Sequence, residues 1–188
     1  MQIEIVVAKY KEDIAWLSYI PDWKAFIYDK SKDIPNVGRE AETWIRHIVE
    51  NYDNLAEYTV FLQGNPIDHL RFPIQHLREN IIQLCTFDIE ALNTIIIEQP
   101  YTYSLHVPEY YQHIFGKCLG STQIKFSPGA QYVVPRSKII HRSKQFYENL
   151  QSMLSNYTGC SWMETFEPHM MDAWLIERLW MFIFSTEH

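Results

Sequence analysis

Cysteine is scarce in this chain of 188 residues: Cys85, Cys118 and Cys160 are odd in number and far apart, with no CxxC and no zinc-ligand spacing to histidine. A disulfide framework and a structural zinc are excluded by that pattern, and a reduced, intracellular, cytoplasmic protein is expected. Positive charge is also short. Sixteen Lys and Arg against 23 Asp and Glu leave a net charge of −7, which removes the basic face that a nucleic-acid binder uses to replace phosphate counterions. A local basic pocket for a nucleotide diphosphate stays open. No apolar run is long enough to span a bilayer. The opening Met1–Ala8 has no basic n-region, so neither a transmembrane segment nor a membrane-tethered lumenal enzyme is expected. GxSxG, P-loop, GxGxxG and nucleophilic-cysteine signatures are all missing. Glycine is rare, with 6 in the whole chain, and two of those, Gly38 and Gly64, stand in the two loops that draw most attention below.

What is present describes one domain large enough for a real core, 47% hydrophobic and 21% charged. No internal repeat or linker interrupts it. Ile3–Ala8 reads as a strand buried on both faces. Lys11-Glu12-Asp13 opens a short helix through Trp16 and Leu17, its acids favouring the positive end of the dipole. Trp23–Tyr28 is a second strand. The clearest element is a helix from Arg39 to about Tyr52. Ala41, Trp44, Ile45, Ile48, Val49 and Tyr52 draw one apolar stripe along it, with Glu42 and Arg46 paired on the other face. Tyr58–Leu62 is a third strand. Strand, helix, strand, helix, strand predicts an α/β domain with a mostly parallel sheet flanked by helices. Further along, Phe72–Leu84 and Asp88–Ile97 read as helices, although Ile95-Ile96-Ile97 fits a strand equally well. Pro100–Pro108 is extended. Tyr110–Leu119 is a helix ended by Gly120, and Ile124–Val134 is strand, turn, strand. Ser143–Leu154 and His169–Phe184 close the chain as helices.

Ligands of open α/β sheets bind at the carboxyl ends of the strands, where Pro35–Ala41 and Gln63–His69 fall in this reading. Arg39 at a helix start either joins the helix dipole in holding an anion or is a surface residue behind a Gly38 turn. Asp68 and His69, with Asn65, either ligate a divalent cation or cap a turn. Asp88-Ile89-Glu90 has the outline of a DxD, but its place before an apolar run suits a helix cap. Glu177-Arg178 is hemmed by Trp174, Ile176, Leu179 and Trp180. It is either a mutually satisfied pair or a catalytic carboxylate with a raised pKa. His169 is a further possible ligand, and a metal-dependent hydrolase using Asp68, His69 and His169 is one open alternative. The remaining histidines, His47 among them, show no partner pattern beyond a core or surface role.

Val6-Val7-Ala8-Lys9-Tyr10-Lys11-Glu12-Asp13, Pro35–Ala41, Phe61-Leu62-Gln63-Gly64, Asp68-His69, Pro128–Arg136 and Glu177-Arg178-Leu179-Trp180 resemble motifs of a family known only as a domain of unknown function. Those motifs cover nearly the whole chain. The family in turn is similar to GT-A type glycosyltransferases. That resemblance implies a nucleotide-sugar donor over the first strands, with Arg39, Gly38, Lys9 and Gln63 on the donor and its phosphates. It also implies Mn²⁺ or Mg²⁺ near Asp68, His69 and Asn65, a glycan or other hydroxyl acceptor, and Glu177 as general base or structural acid. Asn65 stands where the family tends to carry Asp, and no true DxD is present. A catalytically silent nucleotide- or sugar-binding module is therefore the alternative from another class.

Overall fold

The computed structural model describes residues 1–32, 34–98, 106–120, 123–156 and 168–185. Its framework is a five-stranded sheet of order β2-β1-β3-β7-β4, built from β1 (Ile3–Lys9), β2 (Lys24–Asp29), β3 (Tyr58–Gln63), β4 (Glu90–Ala91) and β7 (Tyr132–Pro135). β1 pairs parallel with β2 and β3, whereas β7 runs antiparallel to both β3 and β4. The fold is α/β as expected, and the sheet is mixed, with four strands running one way and one reversed. The reversed strand β7 supplies both antiparallel ladders.

Why β1 lies inside the sheet follows from its side chains. Val6 faces one side while Ile5 and Val7 face the other, all fully buried, so each face of this strand needs cover. Val6, Phe61, Tyr132 and Val134 pack under α1 (Arg39–Asn51), α5 (Lys144–Asn156) and α6 (Pro168–Phe184) through Trp44, Ile45, Leu150, Leu154, Ile176 and Trp180. Ile5, Val7, Val60, Leu62 and Val133 are covered by Trp16 and Ile20 near the 3-10 turn Ala15–Tyr19, and by Leu77 and Ile81 of α2 (Leu77–Leu84). Trp44 lies 5.4 Å from Phe61 and 5.5 Å from Trp180 between ring centroids, and such pairs add about 0.5–1.5 kcal/mol each beyond their buried area.

Several expected elements shift. Asp88–Ile97 is not helical. β4 and β5 (Ile96–Glu98) lie there instead, because β7 offers β4, and the strand at Ile124–Phe126 offers β5, a ladder that outweighs local propensity. Asp88 caps no helix; it accepts from the Ile89 amide at 2.8 Å and pairs with Lys138 at 3.0 Å. The helix expected at Tyr110–Leu119 is α3 (Val107–Phe115), with Pro108 in its first turn and Gly116 at φ 69 as its stop. Ile124–Val134 is strand, turn, strand as read, with β6 (Ile124–Phe126) and β7 on either side of Pro128-Gly129, and β6 pairs with β5 in a second, two-stranded sheet. A short α4 (Arg136–Ile140) was not anticipated. The early helix from Lys11 is only the 3-10 turn, with Asp13 accepting from the Ala15 amide. Most of Pro100–Pro108, Cys160 and the side chain of His169 lie outside the described residues. Cys85 and Cys118 are free thiols.

His47 is a satisfied core histidine. Its Nε2 sits 3.3 Å from the Glu4 carboxylate, which also accepts from Thr59 at 2.8 Å, and its Nδ1 meets the Tyr28 hydroxyl at 3.0 Å. Burial alone would raise the pKa of Glu4, but the hydrogen bonds from His47 and Thr59 outweigh it and the net shift is downward. Among the described residues no helix is long and apolar enough to cross a membrane.

Candidate functional site

β1 leads to β2 on one side, and β2 leads through α1 to β3 on the other side of β1, so the carboxyl ends of β1 and β3 form the switch point of the sheet. A cleft of 610 Å³ opens there. Ala8, Lys9 and Tyr10 line it from the end of β1, Gly38, Arg39 and Glu40 from the start of α1, and Gln63, Gly64, Asn65 and Asp68 from the loop after β3. Of the residues singled out from sequence, Lys9, Gly38, Arg39, Gln63, Asn65 and Asp68 thus share one cavity.

Gly38 is where the backbone demands glycine. Its φ is +59°, and a Cβ there would come 2.7 Å from the Glu42 Cβ and 3.3 Å from the Leu154 Cβ. Arg39 follows with φ +47°, a left-handed conformation that non-glycine residues adopt at a cost. The two together aim the first turn of α1 into the cleft, where no side chain caps it. The turn is held from below by Lys30. Its ammonium donates to the Val37 carbonyl and lies 3.3 Å from the fully buried Glu42 carboxylate, which Arg46 also contacts at 2.5 Å. The Glu42–Arg46 pair read from spacing is therefore real, but it is buried rather than on a solvated face. Burial lowers the pKa of Lys30, with Glu42 opposing that shift.

Lys9 is tied down as well. Its ammonium donates to Asp29 at 2.6 Å, and this bond, helped by Ser31, holds the Asp29 carboxyl far below the usual range. Arg39 is the more open cation, 46% exposed with Nε 3.8 Å from Glu40. Gln63 is structural in part: its side-chain amide donates to the Gly129 carbonyl at 3.0 Å, and its backbone N–H donates to Gln131.

The Pro128-Gly129-Ala130 turn brings the late motifs to the same place. Gly129 has φ +75°, and the His69 ring lies so close that a Cβ on Gly129 would be 2.7 Å from it. The Gly129 N–H donates to Glu177 Oε2 at 3.3 Å. Gln131 donates to Asn93 at 2.9 Å and to the Pro66 carbonyl at 3.2 Å, pinning the loop after β3 to this turn. Glu177 keeps 17% of its side chain exposed and has Arg178 at 3.9 Å. Burial, then the charge of Glu40, push its pKa up to about 7; Arg178, the Gly129 N–H and Arg39 pull the other way. It is neither sealed under its tryptophans nor neutralised by Arg178, whose guanidinium instead stacks on Phe126 at 4.7 Å and donates to the Trp174 carbonyl.

Asn65 turns its amide to the Asp68 carboxylate at 2.9 Å, while His69 lies against Gly129. Among the described residues no three His, Cys, Asp or Glu side chains are grouped to hold a metal.

Sequence reasoning passed over Glu12, Lys30 and Glu40. Glu12 accepts from the Tyr10 amide and packs on Gly64 at the cleft rim, rather than starting a helix. Its signal, and that of Glu40, was membership of the motifs around Lys9 and Arg39. Glu40 is largely screened from water, which raises its pKa against the opposing pull of its own N–H, Arg39, Lys30 and His69.

The model of one family, described as protein of unknown function (DUF3431), matches residues 5–84 and 75–188, and the chain belongs to that family. No curated protein and no solved structure matches it.

Proposed function

We propose, with membership of that family as the premise, that this chain is a nucleotide-sugar-dependent glycosyltransferase of GT-A type, moving a sugar to a hydroxyl of a glycan or similar acceptor. The observation that carries the reading is the pairing of opposites at one switch-point cleft. Arg39 and the uncapped start of α1 favour negative charge, and Glu177, with its pKa near neutrality, stands within reach of their field. Glycosyl transfer requires these two things: a neutralised diphosphate leaving group and a base for the acceptor hydroxyl. Arg39 and the first amides of α1 would hold the diphosphate. Glu177 would take the acceptor proton. The fixed Gly38-Arg39 turn and the Gly129 contact would keep both groups oriented without reorganisation.

Mn²⁺ or Mg²⁺ enters this reading only in company with the diphosphate, whose oxygens would add to those of Asp68 and Asn65 in the loop after β3. No step is assigned to it. A binding module without turnover is favoured by one fact: Lys9 and Lys30 are already matched by Asp29 and Glu42. The hydrolase alternative needs His169 beside Asp68 and His69, and the His169 side chain lies outside the described residues.

The test is a thermal-shift series with UDP, GDP and their sugar conjugates, each with and without Mn²⁺. A ligand at a hundred times its Kd stabilises by about 2.7 kcal/mol, which at this chain length raises the midpoint by about 5–10 °C. Arg39→Ala should abolish that shift. No shift with any millimolar nucleoside diphosphate and metal would sink the transferase reading. Binding without transfer or donor hydrolysis would select the silent module.

A further inference from the structure

Helix α1 starts at the cleft, and α6 packs against it. At their far ends Tyr52, just beyond α1, donates to the Arg142 carbonyl, and the Arg142 guanidinium donates to the Phe182 and Ile183 carbonyls in the last turn of α6, both at 3.4 Å. Between these ends Trp44 meets Trp180. Glu40 lies four residues before Trp44 and Glu177 three before Trp180, so each carboxyl sits one turn nearer the cleft on the contacting face of its helix. They are the next rung of the same interface. Both are largely screened from water, at 11% and 17% side-chain exposure, and two carboxylates in such a place cannot both ionise cheaply.

The charged and titratable groups around them come from three elements and two loops. Arg39, from α1, faces both carboxyls. Arg178 accompanies Glu177 on α6, Tyr132 faces Glu177 from β7, and Lys30 and His69 face Glu40. Lys30 is already committed to Glu42, and Arg178 to Phe126 and the Trp174 carbonyl. That leaves Arg39 shared between two acids.

We propose that Glu40 and Glu177 form a facing carboxyl pair holding one proton between them at neutral pH, with Glu177 the group that meets substrate and Glu40 the positioning residue that governs its ionisation. The second half rests on the transferase reading; the pair itself does not. With the shared proton on Glu40, Glu177 is a carboxylate. The acceptor O–H breaks and its proton moves to Glu177, the acceptor oxygen bonds to the anomeric carbon, and the bond to the diphosphate breaks, its electron pair leaving with the nucleoside diphosphate.

The experiment is a ¹³C-carboxyl NMR titration of glutamate-labelled protein, with Glu177 and Glu40 assigned through E177Q and E40Q. An interacting pair titrates in two separated steps. In wild type, one step near neutrality and one lower is the expected result; both midpoints in the ordinary glutamate range overturn the pair, with no variant needed. In E40Q the Glu177 midpoint should fall by at least about 1 pH unit, and in E177Q the Glu40 midpoint should fall in turn. A folded variant that leaves the remaining carboxyl unmoved also overturns it. The acidic limb of the transfer rate against pH should follow the Glu177 midpoint in E40Q, which a merely structural Glu40 would not produce. A coupled titration in a protein that binds no nucleoside diphosphate would keep the pair and discard the transferase; a bound nucleotide with independent carboxyls would do the reverse.

Discussion

Replacing Gly38 by alanine tests whether the cleft is built on a strained turn. Two costs add at this position. An L-residue at φ +59° pays about 1–2 kcal/mol for the left-handed conformation. The new Cβ would also sit 2.7 Å from the Glu42 Cβ and 3.3 Å from the Leu154 Cβ. Neither neighbour yields easily, since Glu42 is fully buried between Lys30 and Arg46 and Leu154 is 2% exposed. Overpacking of that kind costs about 1–3 kcal/mol. Together G38A should lose about 2–5 kcal/mol, a large share of the roughly 5–15 kcal/mol of a typical domain. Urea unfolding reads it as a lower midpoint at unchanged slope. G38N separates the two costs, because asparagine tolerates the left-handed region yet carries a Cβ. It should recover about 1 kcal/mol and no more. A G38A protein within about 0.5 kcal/mol of wild type, or a G38N protein equal to it, would refute the close packing of α1 on its loop.

Other consequences are measurable. Glu42→Gln leaves Lys30 and Arg46 without their buried counter-charge and should cost about 3–5 kcal/mol by urea unfolding, whereas K30M/E42M should recover much of the loss; equal losses in both would remove the buried triad as the cause. Glu177 makes stability depend on pH. Because its folded pKa is raised from 4.5 to about 7, the folded state holds a proton that the unfolded state has lost across that window. Stability should therefore fall as pH rises from 4.5 to 7, by up to about 3 kcal/mol at roughly 1.4 kcal/mol per pH unit. E177Q should flatten that slope, and an unchanged slope would show that Glu177 titrates normally.

The first third of the fold was legible because its signals are local. β1, α1 and β3 each carry their own periodicity, and the left-handed turn at Gly38 shows in a glycine before a helix. β4 was not legible: Ile89-Glu90-Ala91-Leu92 has apolar residues that suit either helix or strand, and the decision came from β7, some forty residues later. Glu42 shows the same limit from another side. A 3.6-residue period marks which face of α1 is apolar, but it does not reveal that Lys30, from the end of β2, arrives to bury the polar face.

The site divides along the same line. Lys9, Arg39 and Asp68 could be placed at strand ends because strand ends are locally encoded. Whether Lys9 is a free cation could not, since Asp29 comes from the neighbouring strand in register with it. Burial and Glu40 raise the pKa of Glu177, a carboxylate among tryptophans, whereas the sequence suggested Arg178 as its partner. Adjacent residues on a helix point about 100° apart, so i,i+1 neighbours seldom satisfy each other, and here Arg178 swings to Phe126 while Glu177 turns to Gly129. Its electrostatic partner, Glu40, is placed beside it only by the Trp44–Trp180 contact between two helices at opposite ends of the chain. A contact of that range leaves no trace in local spacing. What local spacing can do is put each carboxyl on the same face as its own buried tryptophan, and that is why the pair becomes readable once the two tryptophans are known to touch.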